Sequence, residues 1–219
     1  MYKYILFDLD GTLTDPREGI TKSVQYALSH MGIEEPDLKK LEPFIGPPLI
    51  DSFMEYYGFS LEDARRATDY YRENFTTKGI FQNELFEGVP EMLQSLKENG
   101  KTVAIASSKP EPFVEQILEH FGIIQYFDYV CGSTLNETRT KKEEVIEELL
   151  QRMNLSQEEK KQMLMVGDRK FDVEGAAYFG MPCLGLSLGF AAEGELEAAG
   201  AAAVVDSIKG IEDYILSAE

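Results

Sequence analysis

The chain opens on a short apolar run. Residues 3–9, KYILFDL, mix β-branched and aromatic residues over a length too short for a helix, and predict a buried strand. The period then changes. Ile20, Val24, Ala27, Leu28 and Met31 fall on one helical face, which stops at Gly32. Leu49 to Tyr57 follows the turn signal GPP at 46–48 and reads as a second helix. Leu61, Ala64, Ala67, Tyr71 and Phe75 form the inner stripe of a third. Residues 16–80 are therefore expected to be helical. Beyond residue 85 helix and strand alternate. Strands are expected at 102–106, 128–132, 163–166, 183–186 and 203–205. Helices are expected from Pro90 to Asn99, from Pro112 to Phe121, and over 141–153, 172–179, 193–199 and 208–216. Strands separated by helix-length segments make βαβ units, whose right-handed crossovers place helices on both faces of a mainly parallel sheet. The expected fold class is α/β: a doubly wound core built from 1–15 and 81–219, with a helical insertion over 16–80.

Composition narrows the class further. The chain has 219 residues, of which 43% are hydrophobic, enough to bury a sizeable core and to exclude wholesale disorder. No stretch approaches the roughly 20 apolar residues of a membrane span. The N-terminal apolar run is too short for a signal-peptide core and is followed at once by acids, so a cytoplasmic protein is expected. The formal charge of −18 argues against a nucleic acid polymer or an anionic membrane as partner, because both require a basic surface. It also means that an anionic substrate needs local cations, and magnesium is a natural one. Cys131 and Cys183 are too few for a disulfide framework, and both lie in apolar segments that suit core positions.

Four segments carry chemistry. FDLDGTLTD at 7–15 places Asp8 and Asp10 two apart at the end of the first strand, on one face if the strand continues that far. Close carboxylates repel unless a proton or a cation lies between them, and oxygen ligands favour magnesium. Gly11 then permits a sharp turn. VGDRKFD at 166–172 sets Asp168 directly after a strand and Asp172 near a helix start, where a carboxylate is also favoured by the helix dipole alone. AIASSKP at 104–110 ends a strand on Ser107, which suits either a phosphate ligand or a helix N-cap. Lys141 and Lys142 open a helix, where the dipole disfavours a cation unless an anion is nearby.

In this order, the four segments resemble the motifs of the haloacid dehalogenase superfamily of phosphohydrolases over essentially the whole chain. DPREGIT at 15–21, FIGPPL at 44–49, TKG at 77–79, SSKP at 107–110 and VGDRKFD resemble its phosphoglycolate-phosphatase-like group, particularly the 5′-nucleotidase-like branch. The resemblance implies that Asp8 is the nucleophile that becomes an aspartyl phosphate and that Asp10 is the general acid/base. It implies phosphate contacts from Gly11, Thr12, Ser107 and Ser108. Lys142 best matches the lysine that steadies nucleophile and phosphate, with Lys141 and Lys109 as neighbouring alternatives. Mg2+ would take the side chain of Asp8, the backbone carbonyl of Asp10, and Asp168, with Asp172 as a ligand or its neighbour. Residues 16–80 match the position of a mobile cap. Arg17 and Lys78 are candidate substrate contacts or surface salt-bridge partners, and Phe44, Phe53 and Tyr57 are candidate stacking faces for a nucleotide or helix-packing core residues. The implied activity is hydrolysis of a small soluble phosphate ester, such as a nucleoside 5′-monophosphate or 2-phosphoglycolate, by a monomer or weak homodimer. A phosphomutase and a non-catalytic phosphate-binding module on the same scaffold are the alternatives. RTKKEEV lacks the proline that often follows the lysine in phosphoglycolate phosphatases.

Overall fold

The computed structural model describes residues 2–136 and 138–217. In chain order the elements are β1 (Tyr4–Phe7), β2 (Thr14–Asp15), α1 (Arg17–His30), α2 (Leu49–Tyr57), α3 (Leu61–Thr77), β3 (Glu84–Leu85), α4 (Val89–Glu98), β4 (Thr102–Pro110) and α5 (Glu111–His120). They continue with β5 (Tyr129–Ser133), α6 (Lys142–Met153), α7 (Gln157–Lys160), β6 (Met163–Gly167), α8 (Lys170–Tyr178), β7 (Cys183–Leu186), α9 (Glu195–Ala199), β8 (Ala203–Val205) and α10 (Ile208–Ser217). The chain divides into two compact units, one holding residues up to Thr14 and from Leu85 onward, the other Asp15–Glu84.

The first unit is the doubly wound α/β fold. Its six strands run in the order β5-β4-β1-β6-β7-β8, and all pairs are parallel. β1 lies between β4 and β6, with Phe7 opposite Ile105 on one side and Val166 on the other. The chain leaves β1 toward β4 and β5, then returns to the other side of β1 as β6. That reversal places a topological switch point at the carboxyl ends of β1, β4 and β6, where open α/β sheets form their crevice. Every residue of β1 is buried, because helices cover both sheet faces. One face packs Leu6, Ala104, Cys131 and Met165 against Val145, Ile146 and Leu149 of α6 and Val173 and Ala176 of α8. Residues of opposite parity, including Ile5, Phe7, Val103 and Ile105, are equally buried and face the other way.

Two strand ends differ from the expected pattern. β1 stops at Phe7, so Asp8 and Asp10 are set by the loop after the strand and not by strand alternation. β4 runs on to Pro110 instead of ending at 106. Its register against β5 shifts between Ala106, opposite Cys131, and Pro110, opposite Ser133. The bulge adds two residues on the β4 side and carries Ser107–Lys109 past the strand's regular pairing.

The second unit contains α1, α2, α3 and two 3-10 turns, Leu38–Phe44 and Gly79–Phe81. Its limits fall at 15 and 84, wider than the expected 16–80. The Gly19 N–H donates to Gln82 O at 2.9 Å, which ties the returning segment to α1. Phe44 and Phe53 meet edge to face with centroids 4.9 Å apart, and both are buried. They are packing residues and offer no free face for stacking; Tyr57 packs 6.0 Å from Phe44 and is half-buried.

Both cysteines are core residues without a disulfide. Burial pushes the Cys131 thiol up to about 11 and the Cys183 thiol well above its usual range. A thiol-specific chromogenic reagent at pH 8 is therefore expected to label neither cysteine in the native protein and both after unfolding in guanidinium. Rapid native labelling of either would show that its segment is not packed as described.

Candidate active site

The site is built at the carboxyl ends of the three central strands. Asp8 directly follows β1, and its own N–H donates to Val166 O at 3.0 Å, which locks the residue against β6. Asp168 directly follows β6 and is fully buried. Asp172 sits in the first turn of α8, where its Oδ2 accepts the Arg169 N–H at 3.1 Å. It therefore stabilises the helix start and also belongs to the acidic cluster. Asp8, Asp168 and Asp172 are all buried, with one oxygen from each lying within 4.8 Å of the others.

Three like charges in one buried pocket need compensation, and Lys142 provides part of it. Its Nζ lies 2.9 Å from Asp8 Oδ2 and 2.8 Å from Asp172 Oδ1, and donates to Ala106 O at 2.9 Å. Three oxygens, two carboxylate and one main-chain carbonyl, thus surround the ammonium. Burial opposes its charge, but Asp172 and Asp8 outweigh burial and raise its pKa. The side chain reaches the pocket because α6 lies close to α8 at Gly175, where a Cβ would come within 2.7 Å of Lys142 Cγ. Lys141 precedes the helix and is exposed, its N–H donating to Glu144 Oε2 at 3.0 Å.

Lys109 has a separate partner. Its Nζ meets Asp10 Oδ2 at 2.5 Å, with both side chains buried. Burial raises the Asp10 pKa against the opposing pull of Lys109. The other oxygen, Asp10 Oδ1, is buried with no hydrogen-bond partner among the described residues. The Asp10 side chain thus stands outside the carboxylate cluster.

The remaining carboxylate oxygens are held by the main chain and one hydroxyl. Asp8 Oδ1 accepts the Leu9 N–H at 2.7 Å. Asp168 Oδ1 accepts the Thr12 hydroxyl at 3.0 Å, and its Oδ2 accepts the Phe190 N–H at 2.8 Å. Burial, then the charges of Asp172 and Asp8, push Asp168 well above the usual carboxylate range. Asp172 is raised to about 6, chiefly by burial.

Several expected phosphate contacts are arranged differently. The Gly11 N–H donates to Thr14 O at 2.8 Å and the Thr12 N–H to Leu9 O at 3.2 Å, closing the turn after Asp10. With its hydroxyl on Asp168, Thr12 braces a carboxylate and offers no free donor to a phosphate. Gly11 contributes shape: at φ +83° its absent Cβ would fall 2.2 Å from Asp168 Oδ2. Ser107 is buried in the β4 bulge, where its Oγ accepts the Lys109 N–H at 3.3 Å. It does not cap α5, which begins after Pro110 without a side-chain cap. Ser108 is half-buried in the same bulge. In the helical unit, Arg17 pairs with Asp15 at 3.6 Å and Glu42 at 3.3 Å in the wall of a cavity of about 370 Å³, and Lys78 is exposed at the end of α3.

Gly189 and Phe190, absent from the expected site, close it from the loop after β7. A Cβ on Gly189 would fall 2.3 Å from Asp168 Oδ2 and 2.4 Å from Gly11 O. A glycine shortly after a strand end was the available signal.

Comparison with known proteins accords with this geometry. The model of the haloacid dehalogenase-like hydrolases matches residues 5–186. The chain belongs to that family. A protein of Pseudomonas aeruginosa named 5′-nucleotidase is 50% identical over 197 residues, covering 90% of this chain and 88% of the relative. The tyrosine-protein kinase PtkA of Mycobacterium tuberculosis is 36% identical over 85% of this chain, which spans 62% of that protein's length. The crystal structure of a predicted phosphatase from Clostridium acetobutylicum superposes with a TM-score of 0.95 at 45% identity, covering 99% of both chains. Among the described residues, no helix of this hydrolase is long and apolar enough to cross a membrane.

The donor set fits a divalent cation. With all three carboxylates ionised, the cluster would carry two negative charges beyond what the Lys142 ammonium offsets, and it offers only hard oxygen donors. Removing the ammonium worsens the imbalance. In EDTA at pH 8, Lys142→Met is expected to lower unfolding stability by about 3–5 kcal/mol, the usual cost of stranding a buried charge partner. Lys141→Met should stay within about 0.5 kcal/mol, as exposed substitutions do. Urea denaturation of both variants checks the assignment, and similar losses in the two would contradict it.

Proposed function

We propose that this hydrolase is a magnesium-dependent phosphomonoesterase that works through an aspartyl phosphate on Asp8, with nucleoside 5′-monophosphates as its substrate class. The carrying observation is the separation of two lysine–aspartate pairs. Asp8 lies 2.9 Å from Lys142 in the carboxylate cluster, and Asp10 is held apart by Lys109. Asp8 thus stands beside the Lys142 ammonium, while Asp10 has its pKa raised by burial. That division suits a nucleophile and an acid.

In the first half-reaction, a carboxylate oxygen of Asp8 forms a bond to phosphorus as the ester P–O bond breaks. The leaving alkoxide takes its proton from the Asp10 carboxyl group. In the second half, water attacks phosphorus, Asp10 accepts its proton, and the acyl phosphate bond breaks to release inorganic phosphate. Lys142 holds Asp8 in place and offsets charge on the phosphoryl oxygens, and Lys109 holds Asp10. Asp8, Asp168, Asp172 and the Asp10 carbonyl would hold magnesium, which when bound supplies positive charge against the phosphoryl oxygens. Ser107, in the β4 bulge, is the proposed side-chain phosphate ligand. We read the helical unit as the cap.

Support for the nucleotide comes from the 50% identity to a protein named 5′-nucleotidase, against 29% for a phosphoglycolate phosphatase of Yersinia pseudotuberculosis. The missing proline in RTKKEEV points the same way.

Phosphate release should be assayed with magnesium and with EDTA on nucleoside 5′-monophosphates, 2-phosphoglycolate, sugar phosphates and phosphotyrosine. Magnesium-dependent preference for a nucleotide is expected. Asp8→Asn should lose at least about a thousandfold in kcat while keeping its circular dichroism spectrum, since removing a nucleophile disables the whole catalytic unit. Substantial turnover by that variant would overturn the mechanism, and preference for 2-phosphoglycolate would overturn the substrate class.

A further inference from the structure

The loop after β7 and the start of α8 each hold one of the buried carboxylates. Phe190 of the loop donates its N–H to Asp168 Oδ2 at 2.8 Å, and Gly189 packs against the same carboxylate. Arg169, ahead of α8, donates its N–H to Asp172 Oδ2 at 3.1 Å. The Glu195 side chain joins these two segments. Glu195 Oε1 accepts Arg169 Nε at 2.9 Å and the Lys170 N–H at 2.9 Å, while its Oε2 accepts the Ala192 N–H at 3.2 Å. The Arg169 and Glu195 side chains are 12% and 13% exposed, so the pair is well shielded from water.

We infer that Glu195 is a positioning residue for metal binding: it clamps the Phe190 loop to the start of α8 and so fixes Asp168 relative to Asp172. The inference rests on the proposed magnesium site. A local role in starting the five-residue α9 accounts for the bond from Ala192, but not for the two donors from residues 169 and 170. All three partners are donors, so only a group that accepts at both oxygens satisfies them. Glutamine keeps the size of the side chain but turns one accepting atom into an NH₂ facing a donor. A neutral amide also gives up the charge that holds Arg169. Groups that orient ligands in this way typically govern metal affinity by about 10–100-fold.

The test is calorimetric titration of magnesium into the metal-free wild type, Glu195→Gln and the control Glu197→Gln, whose side chain is exposed on the same helix. Thermal unfolding in EDTA is run alongside to register any general destabilisation. The expected result is a dissociation constant raised at least about tenfold in Glu195→Gln and unchanged in Glu197→Gln. In the phosphate-release assay, the magnesium activation constant should rise while the rate at saturating magnesium is retained. A folded Glu195→Gln variant that binds magnesium like the wild type overturns the inference while leaving the metal site standing. A wild type that binds no magnesium removes the metal reading and the inference together. Should Glu195→Gln fail to fold, Arg169→Gln removes one donor from the same clamp. It is expected to weaken magnesium binding at least threefold, and wild-type affinity in that variant overturns the inference.

Discussion

The site depends on one ammonium group. Lys142 stands among Asp8, Asp172 and the carbonyl of Ala106, all within 2.9 Å of its ammonium. Burying a charge costs several kcal/mol, and such a group persists only when its partners are close and complete. Three chain segments must therefore meet: the end of β1, the bulged end of β4 and the start of α8, with α6 delivering the lysine. The glycines around the pocket follow from this crowding. Gly11, Gly167, Gly175 and Gly189 each occupy a place where a Cβ would fall within 2.7 Å of a carboxylate or of Lys142 itself. The carboxylates are close because the backbone beside them carries no side chains.

The two active-site lysines reach different aspartates because a strand supplies one and a helix the other. Lys109 leaves β4 through the bulge and meets Asp10; Lys142 comes from α6 and meets Asp8. A regular β4 would keep its pairing with β5 through residues 107–109, and the extra length is what brings Lys109 to Asp10. Asp8 and Asp10 consequently occupy different environments although only Leu9 separates them. One is held in a cluster of charges, the other in a buried pair with an oxygen still lacking a donor.

Much of this was legible in the sequence, for physical reasons. A parallel sheet covered on both faces needs continuous apolar strands, so YILF, TVAIA and MLMV stand out, and the helices between them have to repeat near 3.6. Carboxylates directly after such strands, as in DLDGT and VGDRKFD, mark strand ends opening on a crevice. Less was legible wherever position depends on tertiary reach. SSKP reads as a turn because nothing local announces that β4 continues through a bulge. The choice among Lys109, Lys141 and Lys142 depends on where α6 sits against α8, which periodicity does not encode. Thr12 reads as a phosphate ligand from its place in the motif, but its hydroxyl is taken by Asp168, a residue 156 positions away. The 3-10 turn at Leu38–Phe44 has no helical stripe to reveal it.

Charge links the site to the molecule as a whole. A chain of net charge −18 repels an anionic ester, and a pocket with three carboxylates adds to that repulsion. With its three carboxylates ionised, the pocket would be two charges short of neutral with Lys142 alone. A monovalent ion would leave a residual negative charge, and a softer metal would gain nothing from a cluster without histidine or thiolate. A hard divalent cation meets both the charge and the donor chemistry. Because such an ion would be held through Asp168 and Asp172, the segments that fix those side chains bear on the proposed site as much as the ligands do. Glu195 is where two of those segments are joined, and a glutamate there, rather than a neutral residue of similar size, is what three converging donors require.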